Sequence, residues 1–268
     1  MADQHQKPDP DRRVVPRRAA LLAASALGAT ALVAALAGTL TGAAQTPGPD
    51  LPPRTPDLEI TDATVRYQED LNLLVFDLQV AGEAGATTPT PHGAFDGAPV
   101  LGYVVPTTLP AAAVGFGTAA GTVALAVTSH PDFDDTPLWD ESADGDYAND
   151  GELWHAHWVL LVEDARAPGG LAVKEVVDID AEVLPPTNAP VPIYLDSPGF
   201  PVELAADEVR VVVPAPRVGG ETAFSFDAAT AALVVNTSDP SRPTLGVQDV
   251  YGVLSGDLSL PYEVERES

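Results

Sequence analysis

His155 and His157 stand one residue apart in "HAHW", and His130 opens the acidic segment "HPDFDDTPLWDESADGDYANDGE" that precedes them. Along an extended strand, alternate residues share a face about 6.6 Å apart, so both imidazoles point the same way and can converge on one ion. Trp154, Ala156 and Trp158 fall on the opposite face, which has the composition of a core. His130 is the expected third imidazole with Asp132 alternating beside it, and His92 is the next choice. Histidines joined by a carboxylate suit zinc, iron, copper or manganese. In steps of two, the histidine face continues through Val159 and Leu161 to Glu163. Glu163 or Asp132 is the carboxylate expected to serve the metal, as a ligand or as a base for metal-bound water. The run is apolar on both faces, which is the pattern of a central strand. Two imidazoles buried there need partners, and a metal or neighbouring carboxylates supply them.

The segment before the histidines holds nine carboxylates between residues 130 and 152, with no Lys or Arg. Within it, Asp140, Ser142 and Asp144, followed by Gly145 and Asp146, place oxygens at alternate positions and a glycine at the sharp turn. This resembles the start of an EF-hand calcium loop, which implies calcium as a bound cation. Gly151 stands at the twelfth position in place of the bidentate glutamate, leaving Asp150 or Glu152 to close the shell. "HAHW" is similar to the His-x-His-Trp strand of α-type carbonic anhydrases, a resemblance that implies a further histidine downstream; none follows His157. "HAH" with Glu163 and Gly170 resembles the first cupin motif, but the glutamate comes too late and the histidine of the second motif is absent. These likenesses cover a handful of residues and assign no family.

The elements that must position these groups are strands. From "ATVRYQ" at residue 63 to "LGVQDVYGVLSG" at 245, about eleven short Val-, Leu- and aromatic-rich runs recur between Pro, Gly and Asp turn signals. That pattern predicts an all-β domain, a single sandwich or barrel-like domain spanning 58–268. "LPAAAVGF" at 109 predicts one helical turn, and "FDAATAALVV" from Phe226 two strands joined by a short turn. Asn236 in "NTS" matches a glycosylation sequon. The long acidic stretch is expected to be an ion-ordered excursion joining two adjacent strands, because about 20 residues is long for a structureless connection.

The first 44 residues form a separate object. Lys7, Arg12, Arg13, Arg17 and Arg18 precede Ala19 to Leu40, 22 residues without a charge, and small residues follow at Gly42-Ala43-Ala44. This layout is that of a signal peptide or a retained membrane anchor. "RRAALL" resembles a twin-arginine signal. Residues 45–57, with five prolines, read as an extended spacer to an extracytoplasmic domain, secreted or anchored to the membrane. The chain contains no cysteine, which excludes disulfides, thiolate metal sites and a cysteine nucleophile.

Beyond Ala44 stand 36 acids against eight bases, Lys174 being the single lysine. Such a field repels phosphate backbones and argues against nucleic-acid binding. It fits either a surface adapted to high salt or one neutralised by bound divalent cations. Nucleophile-elbow, phosphate-loop and HExxH templates are absent, so no catalytic residue is assigned. Two function classes remain: a metal-binding structural or binding module, and an exported metal-dependent hydrolase or oxidase.

Overall fold

The computed structural model of the protein describes residues 51–90, 94–130, 153–179 and 182–268. The N-terminal segment expected to direct export, His92, Asp132 and the calcium-like residues from Asp140 to Glu152 lie outside them. Fourteen strands run through the described residues. The first seven are β1 (Ile60–Gln68), β2 (Leu73–Val80), β3 (Pro99–Pro106), β4 (Thr122–Ser129), β5 (His155–Glu163), β6 (Leu171–Val173) and β7 (Leu195–Asp196). They are followed by β8 (Val202–Ala205), β9 (Glu208–Pro214), β10 (Ser225–Phe226), β11 (Ala229–Val235), β12 (Leu245–Val253), β13 (Tyr262–Glu263) and β14 (Glu265–Glu267). Helix among the described residues is confined to short 3-10 turns, one of them at Ala111–Val114, where the sequence predicts a helical turn.

The all-β expectation holds, and the architecture combines a barrel with a packed sheet. Strands β4, β3, β11, β12, β6 and β5 neighbour one another in that order, and β4 also pairs with β5, so the sheet closes on itself. Every pairing in the ring is antiparallel. Traced strand by strand around the ring, the pairings close with a large stagger along the strand direction. A stagger that large tilts the strands steeply and widens the interior relative to upright strands. Alternation then splits each strand between two cores. Val100, Val104, Ala126, Val159, Leu233 and Val247 face into the barrel. Leu101, Tyr103, Leu125, Val127, Trp158 and Leu160 face outward, against the second sheet.

That second sheet has the order β14-β1-β2-β9-β8 and presents Val65, Leu74, Phe76, Leu78, Val209 and Val211 to the outer wall of the barrel. Its opposite face carries a buried ionic knot. Asp77 is 7% exposed in its side chain and is bound by Arg66 and, at 2.5 Å, by Arg210 Nε. Removing one side of such a group leaves uncompensated charge, which costs far more than an exposed pair contributes.

Several local expectations are corrected. Phe226 does not open a hairpin with the strand that follows it, because β10 pairs with β13 instead. Asp227 ends β10 by accepting hydrogen bonds from the Ala228 and Ser255 amides at 2.8 and 3.2 Å, which turns the chain into the barrel. Asn236 is buried, and its Nδ2 donates to the carbonyls of Asp239 and Arg242 at 2.8 and 3.1 Å. The acceptor nitrogen of the expected sequon is therefore built into a turn. Residues 51–57, the end of the proline-rich stretch, lie against the domain. Arg54 donates to the carbonyls of Tyr251 and Val250 at 3.0 and 2.8 Å, and the Tyr251 hydroxyl donates to Pro52 O at 2.7 Å.

Candidate metal centre

Strands β4 and β5 pair antiparallel, with Thr128 opposite His155 and Ala126 opposite His157. The acidic segment leaves the barrel at His130 and returns at Leu153, so it joins two adjacent strands, as the sequence predicts. This hairpin register brings His130, just past the end of β4, beside the start of β5. All three imidazoles are buried, at 3%, 4% and 1% exposure for His130, His155 and His157. One ligand nitrogen from each lies within 4.8 Å of the others.

The start of β5 is held from behind. Trp154 packs on Tyr103 with ring centroids 4.7 Å apart, and its Nε1 donates to Gly85 O at 3.1 Å. Gly85 has φ +73°, and a Cβ there would stand 2.9 Å from Trp154 Nε1, so both the turn and the indole seat require glycine. The Tyr103 hydroxyl donates to Asp57 O and accepts from the Gly85 amide, both at 2.9 Å. Burial pushes its pKa up to about 12, so this bridge stays neutral.

The hydrogen bonds determine which nitrogens can act as ligands. His155 Nδ1 lies 2.8 Å from the Leu153 carbonyl, which can only accept. That nitrogen therefore carries the proton and leaves Nε2 as a bare donor of electrons in the neutral ring. His155 Nε2 faces His130 Nε2 at 3.2 Å. Two ligands of a tetrahedral ion with metal–nitrogen bonds of about 2.0–2.1 Å stand about 3.3–3.4 Å apart, so this pair already has the spacing of one coordination edge. His157 Nδ1 lies 3.0 Å from Ser197 Oγ, a buried hydroxyl just past β7. A histidine ligand typically has its second nitrogen anchored in this way. Three imidazoles around a zinc-like ion leave one coordination position open.

His130 and His157 also border the lumen of the barrel, a cavity of about 310 Å³ walled mainly by Val, Ala and Leu. Thr128 lies in the same wall, and its buried hydroxyl has no hydrogen-bond partner among the described residues. An unmet buried hydroxyl costs about 1–3 kcal/mol.

Glu163 is not part of this cluster. It ends β5 as an exposed side chain, roughly 20 Å along the strand from His157 at about 3.3 Å per residue. The expected period-two face is real, but the site occupies one end of it. Sequence reasoning missed Ser197, which reaches His157 from 40 positions away. Its only local signal was the turn "DSPGF".

Two expected results follow from these contacts. Ser197→Ala should weaken metal binding by about 10-fold and, because it removes a buried hydrogen bond to His157 Nδ1, also destabilise the metal-free protein by about 1–3 kcal/mol. Competition with a chelator of known affinity measures the first, and urea unfolding the second. The second result concerns Asp196, which burial holds above the usual carboxylate range despite the hydrogen bond donated by Thr187 Oγ1 at 2.5 Å. A folded-state pKa raised above about 3.9 leaves stability intact below that pH and loses it as pH rises through the folded value. Asp196→Asn should therefore raise the melting temperature at pH 8 and leave it unchanged below pH 4, in melting curves taken across that range. An equal gain at both ends would assign the effect to packing instead.

No protein-family model, characterised protein or solved structure matches the chain.

Proposed function

We propose that this protein is an exported or membrane-anchored β domain that binds a transition metal through His130, His155 and His157 and acts as a binding or structural module. The observation that carries this reading is the convergence of three buried imidazoles, one pair of which already has the spacing of a tetrahedral edge. Zinc fits the all-nitrogen donor set and the tetrahedral spacing best. Calcium is assigned to the acidic segment 131–152, where oxygen ligands abound. The basic and apolar N-terminus supports placement outside the cytoplasm.

A second reading, a metal-dependent hydrolase or oxidase, is favoured by one specific feature. The three-histidine set leaves a coordination position beside a cavity, as catalytic zinc sites do.

Metal analysis of the full chain purified without chelator tests the first reading. One zinc per chain is expected, together with calcium that exchanges independently of it. Thermal unfolding at fixed ionic strength separates the two ions. Calcium should raise the midpoint where sodium chloride alone does not, and zinc should raise it further. A chain with no stoichiometric transition metal would refute the assignment of the histidines. A calcium effect fully reproduced by salt would reduce the acidic segment to adaptation to high salt.

A further inference from the structure

We infer that the barrel lumen is a binding site for an aliphatic carboxylate, whose chain lies among the apolar walls and whose head takes the open position on the ion held by the three histidines. This rests on the metal assignment above. The lumen, at about 310 Å³, has the size of a small-molecule pocket. It stays open because Ala126, Ala229 and Ala231 present short side chains to it and Gly102 presents none. An apolar void of this size forfeits dispersion contacts unless something fills it.

The imidazoles and the unpartnered hydroxyl gather at one end. His130 and His157 border the cavity there, and the Thr128 hydroxyl beside them lacks a partner among the described residues. A carboxylate meets both needs, since one oxygen ligates the dication and the other accepts from a hydroxyl. A protonated amine head would be repelled by the ion, and a headless hydrocarbon would leave Thr128 unmet. The net charge of −26 does not exclude an anion. Salt screens that diffuse field, whereas a dication in contact with the head is screened little. Apart from Phe95, the two histidines and the three threonines the wall is aliphatic, which favours a flexible chain over a ring system.

The test uses the full-length chain loaded with Co2+, whose visible absorption changes when a carboxylate enters its coordination shell. Linear acids from acetate to decanoate are titrated in, with methyl decanoate as the headless control. Affinity should climb about 4-fold per added methylene until the lumen is full and then level off. Ala231→Phe occupies the cavity, so decanoate should then bind only as well as acetate, with cobalt content unchanged. Ala229→Leu is the milder substitution if the first fails to fold. Equal affinity for acetate and decanoate in the wild type would overturn the lumen site, as would unchanged affinity in a folded variant. Loss of cobalt retention in the wild type would instead overturn the metal assignment, and the lumen proposal would fall with it.

Discussion

Replacing His155 and His157 together with alanine should abolish the proposed binding of one transition-metal ion per chain while the barrel remains folded. Two of three converging nitrogens disappear, and one imidazole cannot hold an ion against water. The barrel should survive because the substituted side chains sit at one end of it. The strand pairing between β4 and β5 runs on through seven register pairs, and the packing of Trp158 and Leu160 lies on the other face. The metal's contribution to stability gives a second readout. At free zinc 100-fold above Kd, an ion that binds only the folded state adds about 2.7 kcal/mol. For a domain of about 200 residues that corresponds to a midpoint roughly 5–10 °C higher. The difference between zinc and chelator should be present in wild type and absent in the double variant. Unchanged metal content in the variant would show that the three imidazoles are only packed against one another.

The parts of this site that were legible in the sequence are those governed by local periodicity. Period two along "LWHAHWVLL" places His155 and His157 on one face and Trp158 on the other, and the structure keeps both assignments. The proposal that His130 joins them needed one further step, that a 22-residue acidic excursion returns the chain to the neighbouring strand, and β4 does pair with β5. Glu163 shows where periodicity stops being informative. Sharing a face says nothing about distance, and the strand carries that carboxylate to the far end. Ser197 and the lumen were invisible for a different reason. The hydroxyl reaches His157 only because two-residue β7 pairs with β5 at Trp158 and Val159. The cavity depends on alanines that β4 and β11 bring to the inside of one closed ring with a large stagger. Neither leaves a pattern along the chain. The short strands β8, β13 and β14 escaped as well, since two to four residues are too few to carry an alternation signal.

Trp158→Ala should be the most damaging single substitution in the domain, costing about 3–5 kcal/mol out of a total that is typically 5–15 kcal/mol. The indole is 1% exposed and fills the contact between barrel and sheet. It meets Phe76 and Phe200 edge-on, each with ring centroids 6.3 Å away. Its backbone is fixed between Leu125 on β4 and Asp196 on β7, so β5 cannot shift to close the space that truncation leaves. In urea the midpoint should fall by roughly 2 M for a slope of about 2 kcal/mol per molar. Trp158→Phe should cost well under half as much. It keeps an aromatic ring against Phe76 and removes an indole N–H that has no hydrogen-bond partner among the described residues. Metal affinity should follow the same order, because Trp158 sets the face on which its neighbour His157 points. Chelator competition should find binding weakened in the alanine variant and near wild type in the phenylalanine one. A loss below about 1 kcal/mol for Trp158→Ala would mean that the barrel does not depend on the sheet packed against it, and that the metal end of β5 is held instead by its pairing with β4 alone.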